Sequence, residues 1–137
     1  MKAFRDLVES SIATGKMVGV DSLLADDVVF RSPVAYKPYP GKAITTAILN
    51  GVSRVFEDLH YVGSIEEENR SALLFEAKIG DVSIHGCDFI TTNDEGLIDE
   101  FTVMVRPMSG AKALMDAMAA QFPQIEADAK AYLEQQA

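Results

Sequence analysis

Val82-Ser83-Ile84-His85-Gly86-Cys87-Asp88-Phe89-Ile90-Thr91-Thr92-Asn93-Asp94-Glu95-Gly96-Leu97-Ile98-Asp99-Glu100-Phe101-Thr102-Val103-Met104-Val105-Arg106 is the stretch on which the fold turns. Both flanks are rich in β-branched and aromatic residues, and the run Asn93–Gly96 between them is turn chemistry. Residues 82–92 and 97–106 therefore read as two strands of a hairpin. Toward the N-terminus, Gly80-Asp81 is a two-residue hairpin signal with glycine first, the order of a type II′ turn. It attaches a strand over about 71–79, preceded by another over about 59–66, with Glu66-Glu67-Glu68 and Asn69 in the turn between them. Strands joined in series by hairpins make an antiparallel meander.

The rest of the chain reads as helices around one more strand. Phe4, Leu7, Val8 and Ile12 recur at helical spacing and predict an amphipathic helix over 2–13, broken by Gly15 and Gly19. Val20, Leu23 and Leu24 fit a short second helix with Asp21 or Ser22 near its start. Asp27–Ser32 reads as a strand stopped by Pro33, and Pro33, Pro38, Pro40 and Gly41 make residues 33–41 a rigid loop. Ile44, Ala47, Ile48, Val52, Val55 and Phe56 put one broad apolar stripe on a further helix. From Ser109 the chain is helical and rich in Ala and Met, with Pro123 expected to kink the helix or start a new one. This pattern describes a single α+β domain spanning 1–137, with a strongly curved antiparallel sheet.

The last two strands carry apolar residues at both parities. Val82, Ile84 and Ile90 alternate with Cys87 and Phe89, and Phe101, Val103 and Val105 with Ile98 and Met104. A sheet apolar on both faces needs cover on both. Helices supply one cover, and a second copy of the chain is expected to supply the other, giving a homodimer through the sheet face.

Composition narrows the function classes. With 48% hydrophobic and 24% charged residues, a folded globule is expected. The formal charge of −9, with the basic residues scattered, argues against nucleic acid and anionic membranes as partners. No run approaches the roughly 18 apolar residues of a membrane helix. Lys2, Arg5, Asp6 and Glu9 within Met1–Ser10 leave no apolar segment for a secretory leader. Cys87 is the sole cysteine, so no internal disulfide forms; neither a metal site nor a cofactor is expected, and a reducing cytoplasm is the expected location.

Leu24-Ala25-Asp26-Asp27-Val28-Val29-Phe30-Arg31-Ser32-Pro33-Val34, followed by Gly41 opening a helix, resembles the first half of the nuclear transport factor 2-like superfamily. Its SnoaL-like and ketosteroid-isomerase-like branches look closest. Gly86-Cys87-Asp88-Phe89-Ile90 and Leu97-Ile98-Asp99-Glu100-Phe101, on either side of the turn ending at Gly96, are similar to its last hairpin. The resemblance implies a cone: a bent sheet wrapped around the N-terminal helices, an apolar pocket opening at one end, and a dimer through the outer sheet face. It fixes no activity, because the superfamily hosts isomerases, cyclases, dehydratases, adaptors and inert binders.

Carried over position by position, the resemblance implies the following. The isomerase base is an Asp before a Pro-Val pair; here Ser32 precedes Pro33-Val34, and a serine without an adjacent base accepts no proton near neutral pH. The oxyanion-donating Tyr of the first helix falls near Val8, and that helix contains no Tyr. The second oxyanion donor is an Asp eight residues before the hairpin glycine, and here Asp88 stands there. Asp88 shares strand parity with Ile84 and Ile90, so desolvation is expected to raise its pKa and keep it protonated, as in the apolar oxyanion hole of ketosteroid isomerases. The His-Trp pair of the cyclases is replaced by Phe101-Thr102, and Arg106 stands near their Asp.

The leading reading is a binding pocket for a small apolar, polyketide-like or steroid-like molecule, walled by Phe30, Ser32, Phe101 and Val103 with Asp88 as its polar anchor. The alternatives are an isomerase-, cyclase- or dehydratase-type enzyme with Asp88 as the catalytic general acid, or a dimeric protein-interaction module. A His85–Asp88 dyad would need a bulge at Gly86, because a separation of three places the two on opposite faces of a regular strand. Arg106 is read as a surface group able to clamp a carboxylate, and His60 as a surface residue. Asp26-Asp27 is read as a solvated cluster, Met104, Met108, Met115 and Met118 as core filler or an adaptable wall, and Tyr36 and Tyr39 as loop residues near the pocket mouth. If Thr92 pairs with Leu97, Asp88 faces Phe101; a shift by one places Thr102 there.

Overall fold

The structure is a computed structural model that describes residues 1–136. Helix α1 (Lys2–Thr14) buries Phe4, Val8 and Ser11 and ends where the Gly15 N–H bonds the Ser11 carbonyl. One turn of 3-10 helix (Val20–Leu23) replaces the short second helix expected there. Strand β1 (Leu24–Arg31) follows, starting three residues before the expected Asp27 because Leu24 and Ala25 are already buried and Leu24 pairs with Ile98. The proline-rich loop contains a two-residue strand, β2 (Tyr39–Pro40), and leads to α2 (Lys42–Val55). The meander is β3 (Glu57–Glu67), β4 (Arg70–Ile79), β5 (Val82–Thr92) and β6 (Ile98–Arg106), and α3 (Met108–Gln136) closes the fold.

The strands form one curved sheet in the order β2-β1-β6-β5-β4-β3. The meander is antiparallel throughout, with Gly80-Asp81 closing the β4–β5 hairpin between the paired residues Ile79 and Val82. Gly80 takes a φ of 59°, as the first central position of a type II′ turn requires. One pairing departs from the all-antiparallel expectation: β1 lies parallel to β6, so the sheet is mixed. The connection between those two strands runs through α2 and four other strands, where no hairpin signal can announce it.

Neither expected register of the final hairpin is the one formed. Thr92 pairs with Ile98, a bulge falls between Thr91 and Thr92, and Asp88 stands opposite Val103 while Ile90 stands opposite Phe101. The bulge also returns Ile98 to the interior, where it is fully buried, instead of leaving it on the outer face beside Met104.

One face of the sheet packs on the helices around Phe4, Leu24, Leu73, Phe75, Ile84, Ile90, Ile98 and Phe101. Gly86 makes part of that packing possible, since a Cβ there would stand 2.1 Å from Cζ of Phe75 on the neighbouring strand. Helix α3 runs continuously through Pro123, which therefore starts no new helix. Ile125 beyond it packs into the space left by Gly51 of α2, where a Cβ would stand 2.8 Å from Ile125 Cδ1. The opposite sheet face is uncovered: Val62, Ile65, Leu74, Phe89 and Met104 are all exposed.

Candidate functional site

Alternation along β5 places Ile84, Gly86, Asp88 and Ile90 toward the interior, and Asp88 retains only 6% exposure. Its partner is Tyr61, whose hydroxyl donates to Asp88 Oδ2 at 2.8 Å. Tyr61 belongs to β3, two strands away, and stands opposite Phe75, which in turn stands opposite Gly86. The Tyr61 ring meets Phe75 edge-on, at 6.1 Å between centroids and 73° between planes. Glu9 of α1 fixes the base of that strand by accepting the Tyr61 backbone N–H at 2.8 Å. The phenol is thus held by a helix behind it and an aromatic ring beside it.

Burial dominates the electrostatics. Desolvation pushes the Asp88 carboxyl up to about 7, against which the Tyr61 hydrogen bond pulls down. Desolvation and the neighbouring Asp88 charge drive the Tyr61 phenol well above its ordinary value, so it remains a donor. A small cavity of about 30 Å³ surrounds the pair, walled by Phe4, Val8, Phe30, Phe75, Phe101 and Val103 among others. Phe101 is the hub, 5.4 Å from Phe4 and 5.5 Å from Phe30 between ring centroids.

Of the residues expected from sequence, Phe30, Asp88, Phe101 and Val103 meet around this inner cavity, and Ser32 does not. Ser32 lies in a second, larger cavity of about 190 Å³, between β1, the Pro33–Tyr39 loop, α2 and α3. Its hydroxyl oxygen accepts the Val34 N–H at 3.0 Å. Val8 walls the inner cavity from α1. The functional group missed from sequence is Tyr61.

The His85–Asp88 dyad does not form. Pairing of β4 with β5 is regular through Gly86, so His85 faces outward, 3.7 Å from Glu76 and 3.3 Å from Arg106. Arg106 is exposed beside His85, and His60 is exposed with its Nδ1 at 2.9 Å from the Asp58 carbonyl. Asp26 pairs with Lys42, Glu66 with the N-terminal amine and Glu67 with Arg70, all at the surface. Met115, Met118 and Tyr39 line the outer cavity, Met115 from its exposed rim, whereas Met104, Met108 and Tyr36 are exposed away from it. Among the described residues no three His, Cys, Asp or Glu side chains converge to hold a metal, and no helix is long and apolar enough to cross a membrane.

Comparison with solved structures decides the family. A steroid delta-isomerase from Pseudomonas aeruginosa is 40% identical, covers 86% of this chain and 88% of its own, and superimposes with a TM-score of 0.79. The chain belongs to the nuclear transport factor 2-like superfamily. Within it, the SnoaL-like, ketosteroid-isomerase-like branch is the one that fits. A cystatin-like-fold protein from Silicibacter pomeroyi is 37% identical over 82% of this chain and 80% of its own, with a TM-score of 0.77. A further member of the superfamily, from Mesorhizobium loti, shares the fold at 15% identity over 78% of this chain and 88% of its own (TM-score 0.68). No protein-family model matches the sequence, and no curated protein matches it.

For a nuclear transport factor 2-like domain the chemistry available here is narrow. A carboxyl titrating near 7 is partly protonated at neutral pH and can donate that proton to an oxygen, while the phenol gives its one hydrogen to Asp88 Oδ2. No second carboxylate and no histidine lines either cavity. The interior thus holds an acid and a hydrogen-bond donor without a separate base.

Proposed function

We propose that this nuclear transport factor 2-like domain binds a small, largely apolar molecule and holds one oxygen of that molecule at the Tyr61–Asp88 pair. The observation that carries this reading is the 2.8 Å hydrogen bond between the two side chains inside an otherwise apolar enclosure. A polar pair in such surroundings costs stability unless used. Phe30, Phe101 and Val103 form the wall beside the anchor, and Ser32 contributes from the outer cavity. The test is ligand affinity against pH for a ring ketone such as 2-indanone. Wild-type affinity falls as the pH rises through 7 and the Asp88 proton leaves, the Asp88→Asn variant shows a flat profile, and Asp88→Leu binds about 3- to 10-fold more weakly, the range of one hydrogen bond. Identical profiles for all three proteins would remove the anchor role.

The second reading is an isomerase-type enzyme with Asp88 as general acid. The 40% identity to a protein described as a steroid delta-isomerase favours it. Turnover of an unsaturated ketone, with a pH–rate profile abolished by Asp88→Asn, supports this reading; no turnover across ring ketones rejects it.

We also propose a homodimer through the outer sheet face. Leu74, Cys87 and Met104 stand in one cross-strand row and Ala72 and Phe89 in the next. Charged rows flank this apolar band: Arg70 and Glu100 on one side, Glu76, His85 and Arg106 on the other. An apolar centre with a polar rim is the anatomy of an interface. A cytoplasmic location agrees with the lone half-buried Cys87.

A further inference from the structure

The interior is divided. The outer chamber of about 190 Å³ and the inner one of about 30 Å³ share two wall residues, Phe30 and Val52. Phe30 is 2% exposed and is fixed by pairing with Phe101 in β6 and Tyr39 in β2. The inner chamber has room for about one water molecule and nothing larger. An apolar cavity of roughly 150 Å³ stays dry and admits benzene, so the outer chamber matches a molecule slightly larger than one ring. Its walls are Val34, Ile48, Leu114, Met115, Met118 and Phe122, with hydroxyls only from Ser32 and Tyr39. No Lys, Arg or His lines either chamber, and burying an anion without such a partner is costly.

We propose that the chamber beneath α3 is the subsite for the ligand's apolar body, that it takes a neutral molecule of one or two fused rings, and that Phe30 and Val52 are the partition that sets this limit. The size class stands on the chamber itself; the oxygen reaching past the partition to Tyr61–Asp88 rests on the function proposed above. A four-ring skeleton does not fit whole within the outer chamber of about 190 Å³, and the partition keeps it from extending inward. The flexible thioethers of Met115 and Met118 adapt the wall to ring shape, so selectivity is for size more than for outline.

The test uses the full chain with carbon-13 methyl-labelled methionine, titrated with indane and with androst-4-ene-3,17-dione. The reporters are well placed: Met115 and Met118 line the outer chamber and Met17 the inner one. Indane is expected to move the Met115 and Met118 signals saturably, and the steroid to leave all three unmoved at the same concentration. Ala119→Phe, at the exposed rim of the chamber, is expected to weaken indane binding at least tenfold with an unchanged Tm. Phe30→Ala joins the chambers and is expected to bring the steroid to the Met17 signal with at least a tenfold gain in affinity. Should Phe30→Ala unfold, Val52→Ala opens the same partition with a smaller loss of core. Indane moving Met17 and not Met118, or the steroid binding wild type as tightly as both partition variants, overturns the proposal. Because indane carries no oxygen, its binding reports the chamber alone. A ketone whose affinity ignores Asp88 would sink the anchor and leave the chamber standing.

Discussion

Between about pH 4 and pH 7 the Asp88 carboxyl holds a proton in the folded chain that it releases in the unfolded one, because its folded pKa of about 7 lies above the ordinary 3.8. Its contribution to stability is therefore complete below pH 4 and is lost as the pH rises through 7. This is the reverse of a carboxylate in a salt bridge. Each tenfold difference in proton affinity between folded and unfolded chain is worth roughly 1.4 kcal/mol, so the loss amounts to a few kcal/mol by about pH 8. Asp88→Asn keeps a neutral group of the same shape, so thermal unfolding should show it more stable than wild type near pH 8, by a smaller margin near pH 5, and about equal only below pH 4. A variant destabilised equally at both would contradict the burial account. Tyr61→Phe removes the one hydrogen bond that favours the ionised carboxyl and should cost about 1–3 kcal/mol near pH 8, and less near pH 5. The acid was legible in the sequence because it shares parity with Ile84 and Ile90. Tyr61 was not, because its contact spans all of β4 and exists only once the sheet has curved and its register is set.

Elements of regular period were the most readable. The four hairpin strands, α1 and α2 all form close to where spacing put them, since each is fixed by its own alternation and by turn residues such as Gly80 and Asn93. What escaped depended on partners distant in sequence. The parallel β1–β6 pairing follows from a long excursion, and the bulge beside Thr92 answers to the need to bury Ile98. Pro123 shows packing overriding a local rule: a proline inside a helix costs about 3 kcal/mol, yet Phe122 and Ile125 on either side pack against Tyr39 and Gly51 and keep α3 whole. Ile125→Ala should therefore cost about 2–5 kcal/mol in urea unfolding, as fully buried aliphatics do. Gly86→Ala should cost about 1–3 kcal/mol by driving a methyl into Phe75, and it should also displace the Met17 signal across the inner chamber. A neutral Gly86→Ala would mean that Phe75 is free to move.

At the scale of the molecule, two surfaces remain to be used: the interior and the bare outer sheet. The sequence predicted apolar residues on both faces, and the exposure of Leu74, Phe89 and Met104 beside Val62 and Ile65 is what that pattern produces in a single copy. Phe89→Asp should yield monomers in sedimentation at micromolar concentration with the fold intact, because the change touches no helix-covered position. Wild type sedimenting as a monomer would remove the dimer. The two-chamber interior was not legible. Phe30 and Ser32 sit two apart in one segment, and nothing in their spacing separates a deep wall from an outer one.

The most direct test of the proposed anchor is the carbon-13 titration of the Asp88 carboxyl, with and without 2-indanone. The free protein should titrate with a midpoint near 7, moving upward when the ketone binds, because the protonated carboxyl donates to the ligand oxygen. A midpoint near 4, or one near 7 that ignores a bound ketone, would contradict it.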